Sequence, residues 1–264
     1  VPPIDAGAAT VEPDPSGPGG TSEDTLELRL PGAPGRGGRR ASRDRVRHAD
    51  ADTYADADTD TYTGGALRSA RAAEHLDGVA GWGPVATPVG AFQLVPVVPH
   101  RDLPLVARWM NDPAVAEFWE LAGPPSRTAA HLEAQLDGDG RSVPCLGLLD
   151  GAPMSYWEVY RADLDPLARH YPARRHDTGL HLLLGGAEDR GRGLGSALLR
   201  AVADLVLDRR PACSRVVAEP DLRNVPSVAA FLTGGFRFAA EIEIDLPPRR
   251  AALMIRDRAL RDVL

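Results

Sequence analysis

The chain has 264 residues, 43% of them hydrophobic, enough for one large domain or two small ones with a sizeable core. Its net charge of −7 argues against a bulk nucleic-acid binder, which needs an accumulated basic surface. Its 2 cysteines, Cys145 and Cys213, lie in separate apolar runs; they make neither a disulfide framework nor a zinc spacing, and both thiols are expected to be buried and structural.

Residues 1–23 are proline, glycine and small polar residues and are expected to form a disordered tail. A strand is expected over 25–30, followed by a basic loop and an acidic run with Asp50, Asp52, Asp56, Asp58 and Asp60. Oxygens at 56, 58 and 60 suit a calcium loop, but Thr61 stands where that loop needs glycine and Leu67 where it needs glutamate, so a solvated linker is expected instead. A short helix is expected over 66–76. The opening segment lacks the basic-then-apolar order of a secretory leader, and no run reaches the roughly 18 apolar residues of a membrane span. A cytoplasmic protein is the expectation, with a tail over 1–23, an N-terminal extension over 24–88 and the main domain over 89–264.

From residue 89 the pattern becomes regular. "GAFQLVPV" reads as a strand, and 101–120 as helix, break and helix, punctuated by Asn111-Asp112-Pro113. Residues 126–136 read as a helix capped by Ser126. "VPCLGLLDGAPMSYWEVY" reads as two strands joined at Asp150-Gly151. A strand over 177–185, a helix over 193–209, a strand over 214–220, a helix from 225 ending at Gly234-Gly235, and two closing strands complete an α+β or α/β pattern.

The stretch "EDRGRGLGSALLR" places Gly191, Gly193 and Gly195 between a strand and a helix. Glycine lets backbone N–H groups approach a ligand closely, and the first turn of a helix leaves its N–H groups unpaired at the positive end of the dipole. Such a turn suits a pyrophosphate, with Arg190 and Arg192 adding charge. No Gly-Lys-Ser/Thr follows, and the dinucleotide fingerprint fits poorly because the loop comes late in the chain.

Arg190-x-x-Gly193-x-Gly195 resembles the pyrophosphate-binding signature of the GCN5-related N-acetyltransferases, Gln/Arg-x-x-Gly-x-Gly/Ala. Asn224, Ser227, Phe231, Gly235 and Phe236 resemble that superfamily's later asparagine-to-Gly-Phe segment, in the right order and at the usual separation. More narrowly, "RWMNDPAVAEFWE", "YWEVY", "GLHLLLG", "AEPDLRNVPSVAAFLTGGF" and "PPRRAALMIRDR" resemble the siderophore-biosynthesis acyltransferases, over most of 89–258. The resemblance implies a central mixed, mostly antiparallel sheet, with splayed fourth and fifth strands, flanked by helices. It implies transfer of an acetyl or other short acyl group, such as succinyl, from coenzyme A to the hydroxylated terminal nitrogen of N-hydroxylysine or a related hydroxylamine. The product is a hydroxamate. An N-hydroxylating monooxygenase and a siderophore synthetase are the implied functional partners, with no metal, nucleic acid or membrane.

On that resemblance His181 is the expected base, with Asp221 as its partner and Glu219 as the rival carboxylate. The backbone of Leu182, Leu183 and Leu184, the loop residues Arg190, Gly191, Arg192, Gly193, Leu194, Gly195 and Ser196, and Asn224 and Ser227 are expected to meet acyl-coenzyme A. Phe231 stands where many members carry a tyrosine that protonates the leaving thiolate, so the thiolate is expected to leave unassisted, with help from Ser227 or a water as the alternative. Trp109, Asn111, Trp119, Glu120, Glu158 and Tyr160 are the candidates for the acceptor, aromatic walls for its stem and a carboxylate for its ammonium. Alternation puts Tyr156, Glu158 and Tyr160 on one strand face. The alternatives are an enzyme like the aminoglycoside 6′-acetyltransferases, which resemble the "EPDLRN…GF" region, and a coenzyme A-binding module without turnover.

Overall fold

A computed structural model describes residues 76, 78–245 and 248–261. The strand expected over 25–30, the aspartate run and all but Leu76 of the helix expected over 66–76 lie outside the described residues.

Among the described residues, eight strands form one sheet in the order β1-β2-β3-β4-β5-β6-β8-β7. They are β1 (Val85–Thr87), β2 (Gly90–Pro96), β3 (Ser142–Leu149), β4 (Ala152–Arg161), β5 (Thr178–Leu184), β6 (Arg215–Ala218), β7 (Arg237–Asp245) and β8 (Pro248–Asp257). Asp150 and Gly151 join β3 to β4 with φ of 49° and 82°, the doubly left-handed turn that matches the twist of a hairpin. The one parallel pair among the described residues is β5 with β6, and it is short: Thr178 faces Val216 and Gly179 faces Val217. Beyond Gly179 the two strands diverge. This is the splay expected between the fourth and fifth core strands, and it leaves the inner edge of β5 unpaired from residue 180 onward.

Helices cover both faces. α1 (Pro99–Met110), α2 (Pro113–Trp119) and α3 (Pro125–Leu136) pack Val106, Met110, Val115 and Leu132 against Leu146, Tyr156 and Leu183. α4 (Leu194–Arg209) and α5 (Val225–Thr233) pack Leu198, Leu199, Val202 and Phe231 in the core of Trp157, Val159 and Leu180. Adjacent β4 residues Tyr156 and Trp157 thus enter different cores, as period-two alternation requires. Each fully buried apolar side chain of this kind contributes roughly 1.5–3 kcal/mol. Cys145 and Cys213 are buried free thiols.

The break at 111–113 is built as expected. The Asn111 side chain ends α1 by donating to the carbonyl of Ala107 (2.8 Å), and Asp112 caps α2 by accepting from the Ala114 N–H (2.9 Å). Ser126 does not cap α3; the helix starts at Pro125, with Pro124 as the flanking residue and no side-chain cap. Pro125 has no N–H to satisfy, so the first turn needs one acceptor fewer. Sheet and core begin before residue 89: β1 pairs with β2, and Leu76, Val79 and Trp82 are buried in the α4 core.

Candidate active site

Two cavities meet along the splay. The larger, about 810 Å³, runs from β5 across the start of α4 to α5, and Leu182, Leu184, Gly193, Gly195 and Ser196 are among its lining. The smaller, about 260 Å³, lies between the α2–α3 helices and the ends of β5 and β6, and holds His181, Glu158, Glu219, Asp221 and His131. Trp119, Leu182, Asn224, Ser227 and Phe231 line both.

The larger cavity is shaped by backbone. Gly191 and Gly193 have φ of 70° and 77°, a region costly for any residue with a Cβ. Gly193 flanks α4 without a side-chain cap, and the N–H groups of Leu194, Gly195 and Ser196 find no backbone acceptor within the described residues. They form an anion site of the expected kind. Arg190 lines this cavity, and its guanidinium is also tied down. Its guanidinium donates to the carbonyls of Leu184 (3.1 Å) and Gly185 (3.2 Å) and pairs with Asp112 (3.0 Å), so it ties the loop to the end of β5 and to α2. Arg192 is exposed, and Leu194 packs against the core. On β5, the Gly185 N–H bonds to the carbonyl of Met154 (2.9 Å); antiparallel alternation then turns the polar backbone of Leu183 to β4 and that of Leu182 and Leu184 to the splay. Asn224 caps α5, accepting from the Ser227 N–H (3.2 Å). Phe231 is buried edge-on against Phe236 and has no proton to give.

The smaller cavity is built from side chains. His181 is clasped between two carboxylates, Nδ1 donating to Glu158 Oε2 (2.8 Å) and Nε2 to Glu219 Oε1 (2.7 Å). Burial disfavours charge on the ring, but Glu219 and Glu158 outweigh it and push its pKa up to about 10. His181 is therefore an imidazolium with both nitrogens occupied. Burial also works against ionised Glu158, yet His131 and His181 hold that carboxyl well below the usual range; His181 and Arg249 do the same for Glu219.

The carboxylate beside His181 is Glu219, not Asp221. β6 ends at Ala218, so Glu219 lies past the strand and strand alternation no longer sets its direction. Tyr160 donates to its Oε2 (2.8 Å), and Arg249 donates to its backbone carbonyl (2.7 Å). Asp221 lines the same cavity but pairs with Arg223 (2.8 Å), which holds its pKa down.

The residues expected to meet the acceptor divide. Trp119 lies in the wall, edge-on to His181 with ring centroids 6.1 Å apart, and Glu120 is exposed at the rim. Glu158 and Tyr160 are spent on the histidine and its partner. Trp109 is buried under the close approach of Gly185, where any Cβ would overlap the indole, and Asn111 bonds to the backbone of Gly123; neither lines the cavity. His131 and Gln135 on α3 and Arg249 on β8 were not anticipated. Their helix and strand patterns carry no sign of what they face, although a histidine and a glutamine one turn apart share a helix face. No helix among the described residues is long and apolar enough to cross a membrane, and no cluster there is arranged to hold a metal ion.

Residues 98–244 match the family described as "Acetyltransferase (GNAT) domain". The chain is 36% identical over 171 residues to the lysine N-acyltransferase MbtK of Mycobacterium sp. (strain MCS), covering 65% of this chain and 69% of that one. It is 36% identical over 160 residues to the N(6)-hydroxylysine O-acetyltransferase of Escherichia coli, covering 61% of this chain and 50% of that one. A crystal structure of an uncharacterized protein from Bacillus halodurans superposes with a TM-score of 0.63 at 31% identity, over 69% of this chain and 94% of that one. The aminoglycoside acetyltransferase AAC(6')-Ib superposes at 0.56 with 23% identity, over 65% of this chain and 96% of that one, a likeness of fold alone. The chain belongs to the GNAT acetyltransferase family and is an acyl-CoA-dependent N-acyltransferase.

Proposed function

We propose that the chain transfers an acetyl or similarly short acyl group from acyl-CoA to the hydroxylated terminal nitrogen of N-hydroxylysine or a close homologue, giving a hydroxamate for siderophore assembly. The observation that carries this reading is the clasped imidazolium in the smaller cavity, next in sequence to Leu182, which lines both cavities. A hydroxylamine nitrogen is far less basic than an alkyl amine and arrives unprotonated, so the site needs no strong base. It needs an oriented nucleophile and a weak acceptor for the proton of the tetrahedral adduct.

The diphosphate lies on the amides of residues 193–196, the pantetheine arm runs along Leu184 and Leu182, and the thioester reaches the junction beside Trp119 and Phe231. The nitrogen attacks the thioester carbon. As the C–N bond forms, the oxyanion is met by the Leu182 N–H, and the nitrogen's proton passes to the Glu219 carboxylate. His181 holds that carboxylate in place and offsets charge. Collapse breaks the C–S bond; the thiolate leaves without a donor from Phe231 and takes up the proton that Glu219 releases. Glu120 at the rim accepts the ammonium at the far end of the acceptor. An oxygen-inserting monooxygenase upstream and a synthetase that consumes the hydroxamate follow from this chemistry.

Mass spectrometry of products from a mixture of acyl-CoA donors and terminal hydroxylamines tests it. The expected product is the acetylated N-hydroxylysine. Acylation of an aminoglycoside in preference, with no hydroxamate formed, contradicts the reading.

A further inference from the structure

We propose that His131 reads the hydroxyl of the acceptor's N–OH group and so sets the choice of a hydroxylamine over the parent amine. The inference rests on the reading above that the acceptor occupies the His181 cavity.

Glu158 aims two imidazoles into one cavity. Its Oε2 takes His181, and its Oε1 takes His131 Nε2 at 2.6 Å. The other donors around Oε1 fix which nitrogen of His131 is used. Gln135 accepts from the Ser142 hydroxyl (2.7 Å) through its amide oxygen, so its nitrogen faces Glu158 Oε1 (2.7 Å) as a donor, and Tyr156 donates to the same oxygen (2.9 Å). Gln135 Nε2 also lies 2.9 Å from His131 Nε2, but its two protons have the Glu158 Oε1 and Tyr156 hydroxyl oxygens as acceptors, and an ionised carboxylate 2.6 Å from Nε2 only accepts, so His131 holds its proton on Nε2. In the neutral ring Nδ1 then carries a lone pair.

That lone pair makes no hydrogen bond within the described residues, and it is not sealed in the interior as an unpaired atom, since His131 is 30% exposed and lines the cavity. The carboxylate behind Nε2 strengthens Nδ1 as an acceptor, as such partners do for metal-binding histidines. Glu158 and Asp221 are held by the two histidines and Arg223, Glu219 takes the nitrogen's proton in the reaction above, Glu120 stands at the rim for the far ammonium, Asn224 Oδ1 accepts from the Ser227 N–H, and Arg249 can only donate. Nδ1 is thus an unpartnered imidazole acceptor on the wall of the cavity that holds His181, suited to an O–H donor. An amine lacking that hydroxyl leaves Nδ1 unpaired once water is excluded, and a site built to bond a substrate hydroxyl discriminates strongly against its absence.

Two substitutions separate reading from bracing. His131→Gln keeps a donor where Nε2 stands and removes the acceptor; His131→Asn keeps an oxygen where Nδ1 stands and gives up the bond to Glu158. With acetyl-CoA, the full chain is assayed on N6-hydroxylysine, its O-methyl ether and lysine. The ether keeps the weakly basic nitrogen and lacks the O–H. Wild type is expected to favour the hydroxyl over the ether by roughly 100-fold or more in kcat/KM. His131→Gln should cut that ratio at least tenfold, whereas His131→Asn should slow both acceptors and preserve it. Equal losses on both acceptors in both variants, or selectivity lost in Asn and kept in Gln, overturn the inference. Wild type acetylating lysine as readily as hydroxylysine overturns it while leaving acyl transfer intact; transfer to none of the three overturns both.

Discussion

The two cavities of the splay are made in opposite ways. The donor side is backbone: glycines at positive φ, an uncapped helix start, and a strand edge freed where β5 leaves β6. The acceptor side is side chains from α3, β4, β5, β8 and the end of β6, locked to one another around His181. A backbone site takes whatever carries the same diphosphate; a side-chain site can choose its acceptor. Substitutions on the two sides should therefore separate affinity for coenzyme A from turnover.

The largest expected effect is on the acceptor side. His181→Ala frees the Glu219 carboxylate from the bond that orients it and should lower kcat by about 100-fold, since a misplacement of about 1 Å can cost that much; stopped assays of thiol release check it. Between the sides, Gly185→Ala drives a methyl into the Trp109 ring and should cost about 1–3 kcal/mol of stability, read by urea unfolding. On the donor side, Gly193→Ala puts a Cβ at φ 77°, a strain of about 1–2 kcal/mol, and should raise the KM for acetyl-CoA about tenfold with a smaller effect on the acceptor KM.

A subtler effect comes from charge. His181 has its pKa raised from 6.5 to about 10 by its two carboxylates, after burial has pulled it down. The folded state thus binds this proton more tightly than the unfolded chain. The stabilisation is fully present below pH 6.5 and fades as pH rises through 10. The gap in melting temperature between wild type and His181→Gln should be widest near pH 6 and close toward pH 10. The ring is 36% exposed, so solvent screening keeps the gap small. The smallest effect belongs to Glu120, left-handed at φ 54°. Glu120→Gly should leave stability unchanged or slightly higher, since relief of strain offsets added chain entropy, while raising acceptor KM a few-fold.

The same contrast explains what the sequence made legible. The turn at Asp150-Gly151, the break at Asn111-Asp112-Pro113 and the glycine loop are local chemistry, and each was readable from a few adjacent residues. The face shared by Tyr156, Glu158 and Tyr160 followed from strand period alone. The partner of His181 did not, because β6 stops at Ala218 and Pro220 follows, so the direction of Glu219 depends on Tyr160 and Arg249 from other strands. His131 and Gln135 were silent because an amphipathic helix advertises its apolar face, not the register in which its polar residues meet a distant strand. Arg190 reads as a free cation in a loop, and only the fold shows that β5 carbonyls and Asp112 occupy it.

Calorimetric titration of coenzyme A into wild type, His181→Ala and Gly193→Ala tests the division most directly. The account predicts that His181→Ala binds within about twofold of wild type and that Gly193→Ala binds about tenfold more weakly. Lost binding in His181→Ala with unchanged binding in Gly193→Ala would contradict it.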